Sequence, residues 1–498
     1  MRSERDTPAP PPEAPGRTGE PAWAAAWTGG RPAVHLGNVG EFHAQFPGAS
    51  PTVRGSGDHY ACLAAFLSPR PRIVVLPRHV DPAWTRLLER LLDWEGVEVY
   101  GGVDGESGLC DAVRARPALR ERIAAAGPPL IPWGRTAASD RLAASCRAEH
   151  PPGAAGALAA VRRHESKAAA HALFARLAPD HPGVVVPAQW HAASPRHAAR
   201  LLAARAAAGL TTVVKAEYGA GGSATAVLTP AQARRAGRAY AIPWARRAPG
   251  TAPPRGPLLI EDHVAGRGPH RNPTFDGFVA GDGTVHPVGT GLMDVAGTRY
   301  RGVTVGPGAL PGPLAAIAAR FGAAVGRALA ADGYRGWYDV DFVTDRAGRL
   351  APVETNLRLT GPAAAFALQA RLARLHGGGP PAVRTLDRLP LGARLPARDL
   401  LDHLAEVARR CRPLGVTLLP TIPTASYEPD PYAGVALAAP TPGALDAAEA
   451  VLRAANRALG RMFRDLDRES GPGGPGGRGL SGPRGAARRR RPPPRPRA

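Results

Sequence analysis

Along the first hundred residues, short apolar runs alternate with Gly- and Pro-rich turns. Ala33-Val34-His35-Leu36 reads as a short strand entering the Gly37-Asn38 turn, and 72–77 as a buried strand bounded by prolines. Over 81–92 the apolar residues Trp84, Leu87, Leu88 and Leu91 recur at helical spacing, and 97–100 is a further strand ahead of Gly101-Gly102. Strand, helix, strand in that order predicts a small parallel α/β domain over 31–150. Residues 1–20 are polar and Pro-rich, without the apolar core of a secretion signal, and with Pro10-Pro11-Pro12 in a row the stretch 1–30 reads as a disordered end.

A Pro/Gly/Ala stretch at 151–156 marks a boundary, and a second domain is expected over 155–375. Ser166 is placed to cap a helix through Leu173, Phe174 and Leu177, which puts Lys167 in its first turn. Strands are expected at 211–215, 224–228 and 257–261. Two hairpins follow, one turning at Gly281-Asp282-Gly283 and one at Asp345-Arg346-Ala347-Gly348. Strand-like runs at 415–419 and 434–438, then a helix from 442 to about 462, form a C-terminal α/β module over 380–465. The fold class is α/β (α+β). No internal repeat and no uninterrupted apolar run of membrane-spanning length is evident, so no membrane partner is expected.

Composition changes the picture at three points. Four cysteines, Cys62, Cys110, Cys146 and Cys411, form no CxxC pair, which speaks for reduced thiols and a cytoplasmic location. The net charge of +22 is partly a matter of the last 28 residues, which carry eight arginines and no acid and read as a disordered tail over 470–498. No aromatic interleaves those arginines, so no nucleic-acid partner is expected. Finally, only two of the 63 Lys and Arg residues are lysines, Lys167 and Lys215. Against such a bias a lysine marks a place where a compact ammonium suits better than a planar guanidinium.

Lys215 ends a strand and opens the loop Lys215-Ala216-Glu217-Tyr218-Gly219-Ala220-Gly221-Gly222-Ser223. Glycines at 219, 221 and 222 let backbone N–H groups approach phosphate oxygens, although the spacing is not that of a Walker loop. The stronger signal is the second hairpin. Asp339 and Asp341 share one face of its first strand, Glu354 and Asn356 one face of its second. If 345–348 form the turn, Asp339 falls opposite Glu354. Carboxylates packed so closely need a cation among them, and an all-oxygen set suits Mg²⁺. Arg358, two residues on, would face whatever the metal presents. Glu261 ends a hydrophobic strand in the run Glu261-Asp262-His263-Val264, where it and the backbone beyond can meet an adenine edge.

Taken in order, these pieces resemble the ATP-grasp superfamily of carboxylate–amine ligases, with a pre-ATP-grasp domain before the core. The resemblance covers roughly residues 160–370, and the C-terminal module follows it. It implies that Lys167, Lys215, Glu217, Gly219, Gly221, Gly222, Glu261 and Val264 bind ATP. It implies that Asp341, Glu354 and Asn356 hold Mg²⁺, and that Arg358 and Lys215 act in catalysis. Leu357 departs from the proline often found after the Asn. The motifs His35-Leu36-Gly37-Asn38 and Asn272-Pro273-Thr274-Phe275-Asp276 are most similar to peptide ligases of actinobacterial antibiotic pathways, the pheganomycin type. The implied chemistry is activation of an amino-acid or peptide carboxylate as an acyl phosphate and its condensation with an amine.

Two other readings compete: an ATP-grasp carboxylase, and a basic nucleic-acid-associated protein with a nucleotide-binding core. The acid and amine are not identified by the sequence, with Arg299, Arg301 and His270 as guesses for the substrate pocket. A homodimer is compatible with it.

Overall fold

The computed structural model describes residues 21–47, 51–127, 129–148, 157–219, 225–238, 258–266, 268–377 and 379–470. Its first sheet is parallel: β1 (Ala33–Leu36), β2 (Pro71–Val75), β3 (Glu98–Tyr100) and β4 (Leu130–Pro132), in the order β3-β2-β1-β4. The crossover helix Pro82–Leu92 starts where Asp81 accepts from the Ala83 N–H at 2.8 Å, and it buries Trp84, Leu88 and Leu92. The Trp84 indole donates to the Pro420 carbonyl at 2.8 Å, tying this domain to the C-terminal part of the chain.

The expectation of a disordered 1–30 end is corrected in part. Residues 1–20 lie outside the described residues, but Ala22–Thr28 is a helix. Trp23 and Trp27, four apart on one face, bury against Trp337 at ring distances of 5.7 and 5.4 Å, and Trp27 also meets Phe278. Two indoles supply enough apolar area to dock about two turns of Ala-rich helix. The 470–498 tail lies, from 471 on, outside the described residues.

A small antiparallel sheet comprises β5 (Gln189–Ala192), β6 (Thr212–Ala216), β7 (Thr225–Leu228) and β8 (Leu258–Asp262), in the order β5-β8-β6-β7. The helix Pro195–Ala207 covers it, with Ala198 and Leu202 packed on Val214 and Ile260.

The largest sheet has eight strands: β9 (Pro273–Val279), β10 (Val285–Ala296), β11 (Arg299–Val305), β12 (Gly336–Thr344), β13 (Leu350–Asn356), β14 (Ala382–Pro390), β15 (Thr417–Ile422) and β16 (Tyr432–Ala439). Their order is β13-β12-β9-β10-β11-β14-β16-β15. The C-terminal module therefore continues this sheet through β14 instead of forming one of its own, and its last helix, Pro442–Ser470, outruns the expected end near 462. The helix Gly312–Ala331 is long and apolar enough by composition to cross a membrane, although Arg320 and Arg327 interrupt its apolar run. Here it packs Phe321, Val325 and Leu329 against Phe275, Val279 and Tyr338. Phe278, three residues beyond Phe275, faces the other way, toward the two tryptophans and the helix Gly361–His376.

The register of the β12–β13 hairpin also corrects the expectation. Asp341 stands opposite Glu354 and Asp339 opposite Asn356. The turn is longer than four residues: Thr344 pairs with Leu350, and the Asp345 carboxylate accepts from the Ala347 and Arg349 N–H groups at 2.8 Å. Gly348, at φ +79°, supplies the left-handed conformation that closes this turn. A bulge between Asp341 and Phe342 then leaves Val353 outside the ladder.

Candidate active site

Neighbouring strands carry the acid-rich face of the hairpin further. β9 pairs with β12 so that Thr274 lies beside Asp341 and Asp276 beside Asp339. Two rows result, Glu354–Asp341–Thr274 and Asn356–Asp339–Asp276, on one sheet face. Asp339 Oδ1 accepts from both the backbone N–H and the side-chain Nδ2 of Asn356, at 3.1 and 2.7 Å. That pair of bonds orients Asn356 and leaves its Oδ1 as the oxygen it can offer. Asp276 accepts from the Trp337 indole at 2.9 Å, while its Oδ2 and Asp341 Oδ1 are buried without a hydrogen-bond partner.

Both lysines turn inward to these rows, at 5 and 6 % exposure. Ser166 caps the helix Lys167–Leu177 by accepting from the Ala169 N–H and donates its hydroxyl to Glu217 at 2.7 Å. Lys167 N–H donates to the Glu217 carbonyl at 3.1 Å, so Glu217 fixes the helix start beneath the loop. The Lys167 ammonium reaches Glu354 at 2.8 Å and the Gly219 carbonyl at 3.3 Å. Lys215, on β6, meets Glu261 of β8 at 2.7 Å and donates to the Val353 carbonyl at 3.1 Å. That carbonyl is the one the bulge freed. Gly221 and Gly222 lie outside the described residues. Val264 is half-buried beyond β8, and its carbonyl accepts from the Gly266 N–H at 2.9 Å.

The electrostatics follow from burial and from this pairing. Burial, and then the charges of Asp339 and Glu354, push Asp341 well above the usual carboxylate range. Burial lifts Asp339 to about 7 against the pull of Arg358 and the Asn356 amide. Burial and Asp339 raise Asp276 as well. Glu354 goes the other way: burial opposes its charge, but Lys167 overrides it and holds the carboxyl below its ordinary value. One edge of the cluster is thus anionic and paired, while the other lacks a cation.

Arg358 is buried and pairs with both oxygens of Glu165 at 2.7 Å, and Glu165 also accepts from the Leu357 N–H at 2.6 Å. The guanidinium lies 5.5 Å from the Phe42 ring. Beside Phe42, His43 is kept neutral, its pKa lowered to about 3 by burial and by the charges of Arg358 and Lys167. Glu165, His43, Thr274 and Asp276 went unnamed as site residues in the sequence. The strict alternation of Thr274 and Asp276 in an otherwise apolar strand was the available signal for two of them.

Other singled-out residues play structural parts. His35 bonds the Ala64 carbonyl and the Ser68 hydroxyl at 2.9 Å, both within the first domain. Asn38 braces Gly134 through two hydrogen bonds, and Arg301 pairs with Asp294 at an exposed edge. All four cysteines are free and buried. Among the described residues no three His, Cys, Asp or Glu side chains form a ready cage, so a metal set here depends on the Asn356 oxygen.

No family model and no curated protein matches this chain. Solved structures do. The N5-carboxyaminoimidazole synthase from Aspergillus clavatus, in complex with ADP and 5-aminoimidazole ribonucleotide, is 13 % identical with a TM-score of 0.50, over 86 % of this chain and 99 % of that one. The biotin carboxylase domain of the Hydrogenobacter thermophilus 2-oxoglutarate carboxylase, with MgADP, ADP and bicarbonate, is 14 % identical with a TM-score of 0.50, over 87 and 94 %. At such identity the likeness concerns the fold: this chain has the ATP-grasp fold, preceded by a parallel α/β domain.

Proposed function

We propose that the protein is an ATP-dependent ligase that activates a carboxylate as an acyl phosphate and condenses it with an amine. The observation that carries the reading is the convergence of the two scarce lysines on the acid hairpin, Lys167 on Glu354 and Lys215 on the Val353 carbonyl. A carboxylate attacking a γ-phosphate brings anion against anion. Two buried ammonium groups, held in place by Glu354 and Glu261, screen that repulsion.

The residues present fit a divalent cation. Asp341 Oδ1 is buried without a partner, the Asn356 amide is turned by Asp339, and the donors are all oxygen. Asp341, Glu354 and Asn356 would hold Mg²⁺, which when bound neutralises charge on the nucleotide phosphates. Glu261 and the backbone near Val264 lie where the small sheet meets the lysine pair, which supports a nucleotide base there. Arg358, aligned by Glu165, is the group suited to stabilise the oxyanion as the amine attacks and phosphate departs. The Gly219 carbonyl accepts from the Lys167 ammonium at 3.3 Å, and a glycine-rich run that begins there is suited by its sequence to exclude water from an acyl phosphate.

The finer reading is a cytoplasmic peptide-bond-forming enzyme of natural-product assembly, acting on amino-acid or peptide substrates. Sequence motifs support it, and of their residues His35 and Asn38 are buried and brace loops of the first domain. The test is to incubate the full chain with ATP, Mg²⁺ and pooled amino acids and short peptides. Condensed products found by mass spectrometry together with ADP are expected. ADP release that needs bicarbonate and no amine would replace the ligase by a carboxylase, and no ADP release at all would end the proposal.

A further inference from the structure

Beyond Arg358 the chain enters the helix Gly361–His376 across a second buried polar cluster. Tyr60, from the first domain, donates its hydroxyl to Asp387 Oδ2 on β14 at 2.9 Å. Asp387 is 3 % exposed, and its Oδ1 has no hydrogen-bond partner. The Tyr300 hydroxyl, from β11, and the Thr360 hydroxyl are likewise buried without a partner. At Gly361 a Cβ would collide with the hydroxyls of both Tyr300 and Tyr60, so the start of the helix backbone lies against both phenols.

The cluster adjoins the acid rows. Thr360 sits close enough to Asp339 to ease its ionisation, though not in hydrogen-bond geometry. Tyr300 lies within electrostatic reach of Asp276, and Tyr60 within reach of Arg358. Among the described residues no Arg, Lys or His forms an ion pair with Asp387, and both lysines of the chain are engaged elsewhere. Segments near 60, 300 and 387 thus meet around one carboxylate whose Oδ1 no group engages in hydrogen-bond geometry, the Tyr300 and Thr385 hydroxyls lying close by without a bond to it. Burying such a group unsatisfied is costly, and the cost is recovered when a ligand supplies the missing donors.

We propose that Asp387, Tyr300 and Tyr60 form the acceptor subsite of the ligase, binding the primary amine of the second substrate as its ammonium, from which Asp387 takes one proton so that the freed lone pair attacks the acyl carbon and phosphate leaves. An ammonium brings three N–H donors and a positive charge, matching Asp387 Oδ1, the Tyr300 oxygen and the remaining lone pair of Tyr60. A bicarbonate anion would instead meet the charge of Asp387. The subsite rests on the ligase reading above and specifies which class of nucleophile it takes.

The test separates activation from transfer. The full chain, ATP, Mg²⁺ and the amino-acid and dipeptide pool are offered either hydroxylamine, a nucleophile that is largely neutral near pH 7, or isotope-labelled amino-acid amides, whose amines are largely protonated. Asp387→Asn should form hydroxamates within about twofold of the wild type, while labelled amide products fall by about tenfold or more, as expected for loss of a charged hydrogen bond. Tyr300→Phe, a milder change, should raise KM for the labelled amides and leave KM for ATP unaltered. Hydroxamate and amide formation falling in parallel in both variants, or neither changing, would overturn the subsite. A wild-type protein that yields neither ADP nor hydroxamate would refute the ligase reading itself, and the subsite with it.

Discussion

Replacing Glu354 by Gln tests the centre of the site, because two opposing effects meet at this residue. Its ion pair with Lys167, at 2.8 Å, is worth about 6 kcal/mol gross at an effective dielectric of about 20. The glutamine keeps an amide oxygen that can accept from Lys167 but removes the charge paired with it, leaving an ammonium that is 5 % exposed with only neutral acceptors, that oxygen and the Gly219 carbonyl at 3.3 Å. Breaking a buried pair in this way costs about 3–5 kcal/mol. The same change removes the charge that pushes up Asp341 and Asp339, which offsets part of the loss. A net destabilisation of about 2–3 kcal/mol is expected, read from urea unfolding. In a cycle with Lys167→Met, the coupling between the two sites should reach at least about 2 kcal/mol. Ligand linkage supplies the second readout. At a hundredfold excess over Kd, Mg²⁺ with ADP should stabilise the wild type by about 2.7 kcal/mol, and Glu354→Gln by much less. Additivity of the two substitutions within about 0.5 kcal/mol, or an undiminished Mg²⁺-dependent gain in the variant, would refute the arrangement.

Asp387→Asn should stabilise the protein in alkaline solution. Burial raises the Asp387 pKa from its ordinary 3.8 to about 6, so its neutral form favours the folded state below pH 4 and that contribution is lost as pH rises through 6. The variant should therefore exceed the wild type by about 3 kcal/mol at pH 8 and converge with it near pH 4, and a pH-independent difference would argue against the assignment. Trp27→Ala should cost about 3–5 kcal/mol, because the indole is buried against Trp337 and Phe278, and an unchanged melting midpoint would mean that the first helix does not dock. Deleting 471–498 should leave ADP formation intact at any ionic strength. A loss of turnover would give the arginine tail a role in the reaction.

Period-two alternation made β12 and β13 legible, and the rarity of lysine drew attention to Lys167 and Lys215 before any contact was known. β11 and β14 were missed. Arg299, Arg301, Arg384 and Arg388 interrupt their apolar positions, and those strands are recognisable only beside their partners in the large sheet. The first helix was hidden for a related reason. Seven residues after a Pro-rich stretch carry little local preference, and their order comes from the surface onto which Trp23 and Trp27 dock.

Residue types and their spacing along single strands were enough to determine that this chain carries an oxygen-rich hairpin, two singular ammonium groups and an arginine in series. Side-chain alternation and charge are local properties, and they survive without a partner. The tertiary structure decided the rest. A bulge at Val353 set which acids face each other and freed a carbonyl for Lys215, Glu165 claimed Arg358, and strands remote in sequence brought Tyr60, Tyr300 and Asp387 to one point. Register and long-range contact depend on how distant surfaces pack, and no window of neighbouring residues carries that information.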